Sequence, residues 1–146
     1  MKITRRQFRI NIINVIYRYE LMNEDIDINK IFEQNKKLSS EEIKQLEQIT
    51  LNYKYYKSVI ISFFKTNYEW TKVSPLIRAI LINATHELFS IAPKVVINEA
   101  VEITKTYFED ENNLYKMVNA ILQNIYKFLT LNELISRKNE TKSQTS

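Results

Sequence analysis

Residues 70–108 read WTKVSPLIRAILINATHELFSIAPKVVINEAVEITKTYF, and this stretch decides the fold. Two apolar helical patterns meet there at a short turn. Ser74-Pro75 opens the first, with serine as a natural N-cap and proline at the first helical position. Ile77, Leu81, Ala84 and Leu88 then recur at helical spacing, until Ala92-Pro93 stops that helix and starts the next. The second has Val96, Ala100, Ile103 and Tyr107 on its expected inner face. Ile80, Ile82, Phe89, Val95 and Val101 add apolar positions on other sides, so both helices are expected to be central.

Working outward, the first helix is expected from the N-cap Thr4 to about Met22, buried along Phe8, Ile12, Val15 and Tyr19. Asp25 to Asp27 can cap a short helix through Ile28, Ile31 and Phe32. Ser39 with Glu42 forms a capping box ahead of Leu46, Ile49, Tyr53, Tyr56, Ile60 and Phe63. Trp70 is expected at the seam between two halves. After an acidic and polar link, Glu109 to Asn113, a further helix is expected to face inward through Leu114, Met117, Ile121, Ile125 and Phe128. A last turn runs through Leu129, Leu131 and Leu134. The class is all-α. One domain over residues 1–135, with subdomains of about 1–68 and 69–135, precedes a polar tail, 136–146, that is expected to be disordered.

Composition narrows the chemistry. The 146 residues contain no Cys, which removes disulfides, thiolate metal sites and cysteine nucleophiles. They also contain no Gly, where average usage predicts about ten. Phosphate-cradling loops and dinucleotide fingerprints are therefore excluded, and helices must end on Asn, on Pro or by fraying. Arg5, Arg6 and Arg9 stand where a signal peptide needs apolar residues, and no apolar run reaches the ~20 residues that span a bilayer. A soluble cytoplasmic protein is expected.

Lys2, Arg5, Arg6 and Arg9 share one face at the head of the first helix. Like charges there oppose one another and the helix dipole, and an anion nearby would relieve both penalties. A solvated basic end with no ligand is the alternative. Beside this stripe, Ile10, Ile13 and Tyr17 form either a second layer of core or a patch for a protein partner. The net charge of +4 permits nucleic-acid binding without establishing it.

The remaining candidates read as structure. His86 is the only histidine, so histidine metal clusters and nucleophile pairs lack their parts, and a packing role is expected. Glu99 sits near a helix start, and Glu102 can pair with Lys105 or Arg78. Asn98 and Asn119 lie inside apolar runs and read first as buried locks between helices. Tyr53, Tyr55 and Tyr56 read as core tyrosines beside solvated Lys54 and Lys57. No catalytic constellation survives, so a binding protein is expected, with no enzyme activity, cofactor, metal or small-molecule substrate.

Arg78-Ala79-Ile80-Leu81, His86-Glu87-Leu88, the run from Pro93 to Glu102, and Met117-Val118-Asn119 together resemble the NusB family of transcription antitermination factors. With the Arg-rich start leading into Val15-Ile16-Tyr17, the resemblance covers about Thr4 to Tyr126. It implies two packed helical bundles, of three N-terminal and about four C-terminal helices. It also implies binding of boxA RNA from ribosomal RNA transcripts, with the small-subunit ribosomal protein that doubles as NusE, in a complex that helps RNA polymerase resist termination.

By position, Lys2, Arg5, Arg6 and Arg9 match the RNA-contacting start, and Lys116, Met117 and Asn119 the second RNA-contacting segment. Tyr17 and Glu87 match the partner-facing surface, and Ile13, from the apolar patch beside the basic stripe, is placed with them as a partner-binding candidate. Met117 stands where the family usually has Phe, Ala120 where it has Gly, Asn83 where Arg is frequent, and Asn112-Asn113 where an acid is common. Two other readings stay open. One is a domain like the N-terminal part of a ribosomal RNA cytosine methyltransferase, without its enzyme. The other is a helical protein–protein adaptor.

Overall fold

Local signals set the helix boundaries. A computed structural model describes residues 2–109 and 113–132, and its elements are all helical. The order is α1 (Arg5–Met22), α2 (Ile28–Gln34), α3 (Ser40–Ser62), a 3-10 turn (Trp70–Lys72), α4 (Pro75–Glu87), α5 (Pro93–Phe108) and α6 (Leu114–Leu131). The count is close to expectation, with three helices after the 3-10 turn where about four were expected.

Thr4 caps α1, its hydroxyl accepting from the Gln7 amide at 3.0 Å. Asp27 caps α2 through the amides of Asn29 and Lys30. At α3, Ser39 Oγ accepts from the Glu42 amide at 3.1 Å while Glu42 Oε1 accepts from the Ser39 amide at 2.8 Å. The same buried carboxylate accepts from Asn11 Nδ2 at 2.7 Å, tying α1 to the start of α3. Without glycine, positive-φ backbone falls to asparagine, the residue that tolerates it best, at three of the four such positions among the described residues, the fourth being Glu109 at φ 52°. Asn23 ends α1 at φ 55°, and Asn67 and Asn113 stand at 72° and 56°.

The chain divides into two compact units, Met1–Asn83 and Ala84–Ser146, with the boundary inside α4. In the first, α3 packs on α1 and α2, and the core comprises Ile12, Ile16, Ile31, Leu46, Ile49, Ile60, Ile77 and their neighbours. Every residue of α4 from Ile77 to Thr85 is buried, the polar Arg78, Asn83 and Thr85 along with the apolar positions that surround them.

A polar network lies inside this core. Arg78 Nε lies 3.4 Å from Glu20 Oε1, Arg78 donates to the carbonyls of Trp70 and Glu20 at 3.4 Å each, and Tyr53 donates to the other Glu20 oxygen. Arg78 therefore pairs with Glu20, and Glu102 pairs with Lys105 at 3.9 Å. Trp70 is buried, stacks on Phe64 at 6.2 Å, and has Lys57 and Arg78 over its ring.

In the second unit α5 packs against α6. Its buried face is Val96, Ile97, Ala100, Ile103 and Thr104, whereas Val95 and Tyr107 are 47% and 43% exposed. Thus α5 is amphipathic where an all-round central helix was expected, and Tyr107 lies off its inner face. The buried row of α6 is Val118, Ile121, Leu122, Ile125 and Leu129. Leu114, Met117 and Phe128 are half-buried beside it, because the apolar arc is two rows wide and the more C-terminal row is covered. Leu134 and the tail lie outside the described residues.

Of the α3 tyrosines, Tyr56 is buried, Tyr53 half-buried and Tyr55 exposed. Burial, then the Tyr55 charge, pushes Tyr56 up to about 12, and burial with the Glu20 hydrogen bond raises Tyr53 as well. The folded chain therefore holds these protons more tightly than the unfolded one. The stability they contribute is complete below about pH 10 and is lost as pH rises through about 12. Urea melts at pH 9 and pH 12 should show this loss, and Tyr56→Phe should reduce it. Burial lowers His86 from its ordinary value, consistent with a neutral packed imidazole.

Candidate nucleic-acid interface

The head of α1 presents cations because its first turn projects beyond the residues that cover the rest of the helix. Lys2, Arg5 and Arg6 are exposed, and the Arg5 guanidinium lies 5.1 Å from the Phe8 ring centroid. Arg9 departs from the expected stripe, being only 4% exposed and engaged within the protein. It lies inside the covered arc that Phe8, Ile12, Ile13 and Ile16 define, and a buried guanidinium needs internal partners. The accessible ridge is therefore Lys2, Arg5 and Arg6.

The expected partner surface is also reduced in this state. Ile13 and Glu87 are each 2% exposed, so Ile13 takes the second-layer core role. Tyr17 and Ile10 are half-buried and reach solvent.

A second basic surface lies in the unit Ala84–Ser146. It is a groove of about 370 Å³ between α5 and α6. Lys94, Asn98 and Lys105 line it from α5, and Tyr115, Lys116, Asn119 and Gln123 from α6, over a floor of Ile97 and Val101. Lys105 Nζ lies 4.8 Å and Lys116 Nζ 5.9 Å from the Tyr115 ring centroid. Lys116 and Asn119 are thus brought together, whereas the adjacent Met117 is half-buried and does not line the groove.

Asn98 and Asn119 are exposed on the walls of this groove, which corrects their reading as buried locks. Each lies just outside its helix's buried row. The sequence reading passed over Lys94, Lys105, Tyr115 and Gln123. The signal was present: Lys94, Asn98, Val101 and Lys105 recur at four, three and four, and Tyr115, Asn119 and Gln123 at four and four. Among the described residues no cluster of His and acidic side chains could hold a metal, and no helix is long and apolar enough to cross a membrane.

Such surfaces, cationic with aromatic and amide groups between the charges, suit a ribose-phosphate strand better than a small molecule. The chain is 32% identical over 130 residues to the transcription antitermination protein NusB of Staphylococcus aureus, in strains JH9 and Newman alike. The match covers 85% of this chain and 99% of that protein. A solved structure of T. maritima NusB superposes with a TM-score of 0.71 at 27% identity, covering 87% of this chain and 93% of that one. The profile of the NusB family matches residues 6–127. On sequence and fold together, the chain belongs to the NusB family of transcription antitermination factors.

Proposed function

We propose that this protein binds boxA-type single-stranded RNA of ribosomal RNA transcripts together with the small-subunit ribosomal protein NusE. The assembly then acts on cytoplasmic RNA polymerase against termination. The protein works as a binding factor, without chemistry of its own. The observation that carries this reading is the exposed Lys2, Arg5 and Arg6 ridge at the head of α1, on a fold matched to NusB over most of its length. The guanidinium and ammonium groups neutralise phosphates and release counterions, giving strong but poorly selective attraction. Selectivity then comes from unstacked bases and from the ribosomal protein, which docks beside Tyr17 and uses Ile13 and Glu87 only if the covering side chains move.

Fluorescence anisotropy of a labelled boxA-like RNA, with and without the ribosomal protein, tests the proposal. Three α1 phosphate contacts predict that log affinity falls with log salt at a slope of at least about 2 in magnitude. The ribosomal protein should tighten binding. Partner binding with no RNA in the complex would instead favour a protein–protein adaptor.

A further inference from the structure

The groove between α5 and α6 combines features that the α1 ridge lacks. Three of its lining residues are lysines and none is acidic, although Glu102 offsets part of the Lys105 charge from 3.9 Å. Lys94 and Lys105 are eleven residues apart on α5, which is about 16 Å along the helix axis. That spread fits several phosphates in a strand better than one small anion.

Tyr115 is the aromatic residue of the lining, half-exposed, with ammonium groups of two lysines beside it. Asn98, Asn119 and Gln123 put carboxamides around it, each with both donors and an acceptor. An acidic peptide would use the cations and leave the ring and the amides idle. An unpaired nucleotide within a strand uses all three: base on ring, base edge on amide, phosphates on lysine.

We infer that the groove is a base-capturing subsite in which Tyr115 stacks one unpaired RNA base. Asn98, Asn119 and Gln123 meet its edge, and Lys94, Lys105 and Lys116 hold the flanking phosphates. This deepens the RNA-binding proposal and rests on it. The stacking role falls to Tyr115, because Met117 does not line the groove and has no ring.

The test uses the full chain and a labelled single-stranded RNA dodecamer of boxA-like sequence. A companion set of dodecamers replaces one nucleotide at a time by an abasic residue. The wild type should lose affinity about 5- to 100-fold at one or two abasic positions. Tyr115→Leu should weaken the intact RNA by a similar factor and become indifferent to those positions, while Tyr115→Phe binds as wild type. Lys94→Gln with Lys116→Gln should lower the salt slope by about 1 to 1.5, a change that Tyr115→Leu does not produce. All three residues are exposed or half-exposed, so melting temperatures should stay within a few degrees of wild type.

If Tyr115→Leu and the lysine pair bind intact RNA like wild type while Arg5→Glu with Arg6→Glu does not, the subsite is overturned and the α1 proposal stands. If the wild type binds no RNA, both fall. Polyglutamate competing as well as RNA, with every abasic position tolerated, assigns the groove to acidic peptide and also overturns the inference.

Discussion

Arg78→Ala is expected to destabilise the protein by about 3–5 kcal/mol and to lower its melting temperature by roughly 10–15 °C. The Glu20 and Arg78 side chains are 6% and 10% exposed, so neither charge can turn to solvent when the other is removed. Alanine at position 78 leaves the Glu20 carboxylate in the core with Tyr53 as its remaining neutral donor. It also strips the Trp70 carbonyl of its guanidinium donor and the Trp70 ring of a cation 5.6 Å away. The loss reaches four segments at once, since Glu20 lies on α1, Tyr53 on α3, Trp70 in the 3-10 turn and Arg78 on α4. Calorimetry on Arg78→Ala, Glu20→Leu and the double variant Glu20→Leu with Arg78→Met separates the causes. The double variant should be less destabilised than either single change, because it removes both buried charges and keeps the volume. A melting temperature for Arg78→Ala within a degree or two of wild type would remove the network from the account of this core.

That network shows where the sequence is silent. Arg78 was open to pairing with Glu102, and nothing in linear spacing separates that from a pair 58 positions away. The caps were legible because they are local: Thr4, Asp27 and the Ser39–Glu42 box act within a few residues of themselves. The identity of α4 as a buried helix was legible too, because apolar residues stand on more than one of its sides. Which row of a wide apolar arc is covered depends on the neighbouring helix. For that reason Val95 and Tyr107 face solvent, and in α6 the expected Ile121 and Ile125 are buried while Val118, Leu122 and Leu129 take the places expected of Leu114, Met117 and Phe128.

The candidate interface divides along the same line. Lys2, Arg5 and Arg6 could be read as a ridge because they precede the packed part of α1. Arg9 has the same spacing and is one turn deeper, where α1 is already covered, so periodicity alone could not exclude it. Lys116 and Asn119 came from resemblance to a family segment. Their neighbours in the groove come half from α5, across a link that no periodicity bridges. Only the packing of α5 on α6 puts Lys105 beside Tyr115 and Lys94 in the same groove.

Arg5→Glu with Arg6→Glu is expected to weaken binding of single-stranded RNA on the order of 100-fold or more at low salt. Two charge-assisted contacts, at about 1.5–3 kcal/mol each, are lost and replaced by repulsion. The slope of log affinity against log salt should fall in magnitude by about 1.4. Stability should move little. Glutamates in the first turn of α1 suit the helix dipole by about 0.3–1 kcal/mol each, which offsets the lost contact of Arg5 with the Phe8 ring, about 0.5–1 kcal/mol, and the interaction that exposed Arg6 makes within the protein. The contrast with Arg9 is the sharpest control. Arg9→Glu places a carboxylate where a buried guanidinium had its partners, so it should lower the melting temperature by several degrees, and any loss of RNA binding would follow unfolding. Arg5→Lys with Arg6→Lys should keep the salt slope and lose part of the affinity, since ammonium holds the charge but not the two-pronged grip on phosphate. Undiminished RNA affinity in the folded Arg5→Glu, Arg6→Glu protein would mean that the ridge is merely solvated. RNA recognition would then have to reside in the groove of the C-terminal unit.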